Sequence, residues 1–212
     1  MRIFYSLFLA VSLTTACLES NAFDIEIGTG ETHYKTAHDG LWYQSQFQNE
    51  LDLKTVPWSV GISKKIDNLR YRAQILSLGG VYTSGVWASD DDHYPGSKAT
   101  AVYIGKGKGS ASGIVLSVSR DVNIFNLPLY AEAGAFFYVP SWTERISEYS
   151  TTKYLYDLTA EKTVRVGPVM GVGIRHSGID ISIKYIGMQY NGAEPFPPIW
   201  DRAYVLEAKI YF

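Results

Sequence analysis

The chain has 212 residues, with 19 Lys plus Arg against 21 Asp plus Glu, a formal net charge of −2 and one cysteine. Near-neutrality supplies no basic field for nucleic acid, and a single cysteine cannot build a disulfide framework. Mean hydropathy is −0.05, and after the N-terminal segment no apolar run reaches the ~18 residues a spanning helix needs, which excludes a helical membrane protein.

Met1-Arg2 opens a short positive start, and an apolar run from Ile3 to Ala16 follows, with small residues at Ser20 and Ala22. This predicts a cleaved secretory signal over residues 1–22 and a single domain over 23–212. Cys17 closes a Thr14-Thr15-Ala16-Cys17 phrase distantly similar to a lipoprotein acylation box, with Thr14 where that box favours leucine. A cysteine discarded with the signal is the simpler reading.

The domain reads as eight strands with a period of two. The first, about Phe23 to Tyr34, alternates Phe23, Ile25 and Ile27 against Asp24 and Glu26. The second, Trp58 to Ile66, carries Trp58, Val60 and Ile62 on one face, and Asp67-Asn68 is a hairpin turn signal. The third, Leu69 to Leu78, sets Leu69, Tyr71, Ala73 and Ile75 against Arg70, Arg72 and Gln74. The stretch from residue 79 to residue 112, with the glycine-rich run Gly105 to Gly113, reads as a long loop bearing Lys106 and Lys108. The fourth strand covers Gly113 to Arg120, and the fifth Leu129 to Val139, with Leu129, Ala131, Ala133, Ala135 and Phe137 opposite Glu132. The sixth, Thr163 to Arg175, alternates Val164, Val166, Met170, Val172 and Ile174 with Arg165, Gly171 and Gly173. His176-Ser177-Gly178 turns into the seventh, Ile179 to Tyr190, where Ile179, Ile181, Ile183 and Tyr185 oppose Asp180, Ser182 and Lys184. The last strand, Arg202 to Phe212, puts Tyr204, Leu206, Ala208, Ile210 and Phe212 on one face and Glu207 and Lys209 on the other, with Phe212 as the membrane-insertion terminus.

Short joins near residues 67, 124 and 177 alternate with long ones at 35–57, 79–112, 140–162 and 191–201. The pattern predicts an all-β fold, an eight-stranded antiparallel up-and-down transmembrane β-barrel in the bacterial outer membrane, with short turns in the periplasm and long loops outside. The aromatic content, 16 Tyr and 5 Trp, suits interfacial belts, with Trp58, Tyr138 and Tyr190 as anchors. A soluble lipocalin-like barrel would show the same periodicity with the faces exchanged; the signal and the loop asymmetry favour the membrane.

In that orientation Glu26, Arg70, Arg72, Glu132, Arg165, Lys184, Glu207 and Lys209 face the lumen, with Asp24, Arg175 and Asp180. An eight-stranded barrel is just wide enough for its side chains to fill, so these charges are expected to pair as a polar plug rather than line an ion pathway.

Catalytic signals are sparse. His33 and His38 fall at or beyond the outer end of the first strand, and Asp201 just before the last one. Asp90, Asp91 and Asp92, followed by His93, offer carboxylate oxygens to a divalent cation, but without the alternate spacing and distal glutamate of a dedicated calcium loop they read as a solvated acidic loop. His176-Ser177 are turn neighbours whose side chains do not meet. No cofactor is implied.

Leu127 to Phe137, Leu-Pro-Leu-Tyr-Ala-Glu-Ala-Gly-Ala-Phe-Phe, and the hairpin from Ile181 to Gly192 with the terminal strand resemble the small outer-membrane barrels that include the lipid A deacylase PagL. That resemblance implies the barrel fold and, for the deacylase, a His-x-Ser pair near the outer end of the penultimate strand. The matching stretch here is Gly187-Met188-Gln189, so the activity does not carry over, and Asp201, near the acid's place, has nothing to orient. The expected role is structural or interactive, as in OmpX-like and Ail-like barrels, toward outer-membrane lipid or lipopolysaccharide or an extracellular partner through the aromatic-rich long loops, with Lys106 and Lys108 available to lipid phosphates. The protein is expected to act as a monomer. The alternative is a lipid A-modifying enzyme of the PagL or PagP kind, with a site at the outer rim drawn from His33, His38 and Asp201; a narrow pore is the third reading.

Overall fold

The structure, a computed structural model, describes residues 23–35, 41–44, 47–52, 54–90, 100–124, 127–159, 162–188 and 201–212. The expected signal with Cys17, and also His38, Asp91, Asp92, His93 and Tyr190, lie outside the described residues. The elements are β1 (Asp24–Lys35), β2 (Leu41–Gln44), β3 (Phe47–Asp52), β4 (Lys54–Thr55), β5 (Trp58–Ile66), β6 (Leu69–Asp90), β7 (Thr100–Ile124), β8 (Leu127–Glu148), β9 (Tyr154–Thr159), β10 (Arg165–His176), β11 (Ile179–Gly187) and β12 (Arg202–Tyr211).

Eight of these form a closed antiparallel ring in the order β1, β5, β6, β7, β8, β10, β11, β12, with β12 pairing back onto β1. Closure gives every ring strand two partners, so no backbone edge is left unpaired; in hydrocarbon each unpaired group would cost several kcal/mol. The strands expected from alternation map onto the ring strands one to one. The short turns sit at one end, together with both described chain ends: Glu26 pairs with Tyr211. At one of these turns Ser177 and Gly178 both have positive φ, 48° and 84°, the signature of a tight two-residue hairpin.

The structure corrects the reading of the opposite end. The stretches at 79–112 and 140–162 are mostly strand: β6, β7 and β8 run for 22, 25 and 22 residues, well beyond the 9 to 12 of the other ring strands. Gly105 to Gly113 lies within β7, so Lys106 and Lys108 stand on a paired strand. The pattern Gly105-Lys106-Gly107-Lys108-Gly109 is itself of period two. Its glycines face inward opposite Ile146, Glu144 and Trp142 of β8, and a residue with no side chain leaves room for large neighbours. Packing across strands thus overrides the low strand propensity of glycine.

β6 changes partner at a bulge between Ser77 and Gly80. Below it β6 pairs with β5 as far as Ser77; above it β6 continues with β7 on one side and β3 on the other. Gly79 stands at this point with φ 84°, and a Cβ there would lie 2.3 Å from Thr55 Oγ1. Only glycine satisfies both constraints. The ring thus passes into a taller sheet of β2, β3, β6, β7, β8 and β9 above one side of the barrel.

Candidate functional site

The inward phase of the ring strands divides into two layers. Nearest the short turns lies a buried ion network. Arg72 donates from Nε to Glu26 at 2.6 Å, from Nη1 to Glu132 at 2.8 Å and from Nη2 to Asp180 at 3.3 Å. Lys184 lies 2.9 Å from Glu207 and 3.8 Å from Glu132, and Lys209 lies 3.7 Å from both Glu26 and Glu207. Arg70 bonds Asp24, and Arg175 donates to Asp180 at 3.2 Å. Five inner carboxylates (Asp24, Glu26, Glu132, Asp180, Glu207) thus meet five cations (Arg70, Arg72, Arg175, Lys184, Lys209), and Arg175 also reaches the more exposed pair Asp121–Lys65 at 3.1 Å, so the set stays neutral. Neutrality is what a set of charges out of water requires, and Lys209 meets it by proximity alone, its Nζ having no hydrogen-bond partner among the described residues.

Neutral polar side chains, of which the sequence placed only Gln74 on the charged face, complete the network. Ser59 bonds Glu207, Ser117 donates to Glu132 at 2.5 Å, Tyr130 Oη donates to Asp180 at 2.6 Å, and Gln74 Nε2 donates to Glu207 at 2.9 Å. All share the phase of the charges, which is the signal that could have found them. Arg165 stands apart from this set: it is half-exposed at the start of β10, in register with Tyr138.

On the long-loop side of the charges the same phase turns apolar, correcting the expectation of a polar lumen throughout. Leu76, Leu78, Val115, Phe136, Tyr138, Val169, Ile186 and Val205 are all essentially inaccessible and form one cluster with Tyr34 and Trp142. Tyr138 is therefore a core residue rather than an interfacial anchor, and it stacks on Phe136 with ring centroids 5.0 Å apart. The sequence signal is the loss of alternation in the outer half of some strands, as in Phe136-Phe137-Tyr138-Val139, where both faces are apolar. An ion-paired layer beneath an apolar layer closes the lumen twice.

Above the apolar layer Glu144 is buried on the inward face of β8 between Trp142 and Ile146, 1% exposed, and its Oε2 has no hydrogen-bond partner among the described residues. Burial pushes its carboxyl up to about 7.

The outward face of the ring is apolar and exposed on every strand: Ile27, Val60, Ile75, Leu116, Phe137, Met170, Ile183 and Leu206 are each 41–57% accessible. Water does not tolerate such a continuous belt on a monomer. The lipocalin arrangement, apolar inside and polar outside, is excluded. Aromatic residues rim the belt, Trp58 and the edge-to-face pair Tyr185–Tyr204 (5.7 Å) at the outer margin and Phe23 and Tyr71 at the inner one.

This is an outer-membrane β-barrel. Among solved structures it is similar to Ail of Yersinia pestis, determined with the heparin analogue sucrose octasulfate (12% identity, 92% of this chain and 100% of that one, TM-score 0.44). It is also similar to Neisserial surface protein A (11%, 91% and 98%, TM-score 0.38) and to the translocator domain of the autotransporter NalP from Neisseria meningitidis (10%, 100% and 96%, TM-score 0.34). No protein-family model and no curated protein matches the chain. The assignment rests on the closed ring and its belt.

The rim residues singled out for chemistry are not brought together. His33 has the outward phase, half-exposed and in register with Tyr204. Asp201, one residue before β12, has the opposite phase and pairs with Arg202 at 3.2 Å. Where a His-x-Ser pair would stand, Gly187 and Met188 are buried. His176 and Ser177 lie exposed at a short turn, at the end of the barrel opposite the extended strands. Asp90 is the last residue of β6, paired with Thr100, and no cluster of three or more metal-ligating side chains occurs among the described residues.

Proposed function

We propose that this barrel acts as a surface-interaction protein of the bacterial outer membrane, its working surface being the sheet that β6, β7 and β8 raise above the belt. One observation carries the reading: the lumen is closed by two layers of packed side chains, while three ring strands extend far past the membrane. On β8 the outward phase changes from Phe137 and Val139 to Ser141, Thr143 and Arg145, so the strand leaves the hydrocarbon near Val139 and continues for nine more residues to Glu148. The inward face of this strand packs on the apolar layer through Trp142, which leaves its outward face, above the hydrocarbon, free to meet a partner.

The test replaces residues 83–107 with a short hairpin turn, keeping the ring, Val81 and the Trp142 partner Gly109, and compares wild-type and shortened protein in cells for attachment to host-matrix surfaces. Heat-modifiable migration verifies folding. Attachment that falls with the extension supports the reading; equal attachment sinks it. Mass spectrometry of lipid A from the same cells addresses the enzymatic alternative: an acyl chain lost or added only when the protein is present would replace this proposal and direct alanine substitution to His33, His38 and Asp201.

A further inference from the structure

The outward face of the extension carries a cluster of cations that the barrel itself does not use. Lys106 and Lys108 project from β7 and Arg145 from β8, around an open cleft of about 730 Å³ whose walls include Tyr82 and Tyr154. Lys106 and Arg145 are direct register partners, and Lys108 pairs with Thr143. Like charges directly opposite on neighbouring strands destabilise a sheet. The arrangement is left largely uncompensated: Asp157, the register partner of Arg145 on β9, is the single carboxylate in the cleft, and none of the three cations makes a salt bridge among the described residues. Arg145 instead lies with its guanidinium carbon 4.8 Å from the centroid of Tyr154, within cation–π range. Among the described residues the cleft sets three cations against one anion, with Tyr154 beneath Arg145, an arrangement suited to an external anion.

Height selects the anion. Thr143 and Arg145 are four and six residues beyond Val139, the last apolar residue in the outward phase of β8. At ~3.3 Å per residue and a strand tilt of ~40°, the cluster stands ~10–15 Å above the hydrocarbon boundary. A phospholipid headgroup layer is only ~5–8 Å deep on each side, so glycerophospholipid phosphates lie below these side chains. Phosphates borne on the sugars of a glycolipid reach this height, and the exposed face of Tyr82 suits a pyranose ring as the ammonium groups suit phosphate. The face also turns sideways, toward the neighbouring lipid, rather than up and away from the membrane.

We infer that Lys106, Lys108 and Arg145, with Tyr82 and Tyr154, form a binding site for the phosphorylated saccharide headgroup of an outer-leaflet glycolipid. The site deepens the proposed function by giving one part of the extension a ligand, and it rests on that reading of the extension as the working surface.

The experiment uses the full chain in detergent, titrated with rough-type lipopolysaccharide carrying a phosphorylated core, the same lipopolysaccharide enzymatically dephosphorylated, phosphatidylglycerol, and inorganic phosphate. The expected result is preference of tenfold or more for the phosphorylated glycolipid over the other three. Lys106→Gln/Lys108→Gln/Arg145→Gln lowers that affinity tenfold or more without altering heat-modifiable migration, while Lys106→Arg/Lys108→Arg retains it. Equal binding of the phosphorylated and dephosphorylated forms, equal binding by wild type and the triple variant, or binding of inorganic phosphate as tight as the glycolipid overturns the inference. Cell attachment lost on shortening the extension but unchanged in the triple variant would leave the proposed function standing while glycolipid binding fails, so the two failures are distinguishable.

Discussion

Replacing Arg72 tests whether the buried charges are a balanced set. Its side chain is 1% exposed, and its guanidinium touches Glu26, Glu132 and Asp180 at 2.6, 2.8 and 3.3 Å. Each contact near 2.8 Å is worth about 6 kcal/mol of attraction at an effective dielectric of ~20, but desolvation of the charges offsets most of that. The net loss on deleting one partner from a buried set is ~3–5 kcal/mol, a factor of ~10²–10³ or more in the folding constant. Arg72→Met keeps much of the volume and leaves five carboxylates facing four cations. Pairing it with Glu132→Gln restores four against four, so the double variant recovers at least half of the loss despite carrying two changes. Urea unfolding in detergent micelles, followed by tryptophan fluorescence and heat-modifiable migration, reads both. A single variant within ~0.5 kcal/mol of wild type, the usual range for surface changes, or a double variant as unstable as the sum of the singles, would refute the reasoning.

Four further outcomes follow from the same geometry. Burial holds the Glu144 carboxyl near 7, above its unfolded value; the stability this confers is fully present below the unfolded value and is lost as pH rises through about 7. Glu144→Gln flattens that dependence and stabilises the protein on the order of 1–3 kcal/mol at pH 8, read from unfolding midpoints at pH 5 and pH 8; an unchanged slope contradicts it. Gly113→Ala places a Cβ 1.9 Å from the Phe137 carbonyl oxygen, and the required shift lowers stability by at least ~1–3 kcal/mol, seen as a reduced folded fraction on refolding into detergent. Ile183→Arg puts a charge on the lipid face mid-strand and costs ~2–4 kcal/mol in phospholipid vesicles; a silent substitution would mean that this face does not meet hydrocarbon. Wild-type protein in planar bilayers gives no single-channel steps, because the ion network and the apolar layer each close the lumen, and reproducible steps would show the packing to be incomplete.

Much of this protein is legible in one dimension because a strand's period is two and a barrel has only two faces. Val60 and Ile62, or Leu206 and Ile210, announce one face; Glu207 and Lys209 announce the other, and counting such segments yields the ring. The misreadings cluster where local composition and tertiary packing disagree. Gly105-Lys106-Gly107-Lys108-Gly109 looks like loop because glycine disfavours strands, yet its glycines face inward in register with Ile146, Glu144 and Trp142. Tyr138 looks like an interfacial anchor because it is a tyrosine near a strand end, yet its phase carries it into the core.

The sequence by itself determined the class of fold, the strand phases and the side of the sheet on which each charge lies, since these depend on periodicity and nearest neighbours. Only the tertiary structure decided which lumen charges pair with which, that an apolar layer seals them, and that Lys106, Lys108 and Arg145 converge from two strands. The physical reason is register: period places a side chain on a face, but which side chains stand opposite one another is set by hydrogen-bonded pairing between strands far apart in the chain.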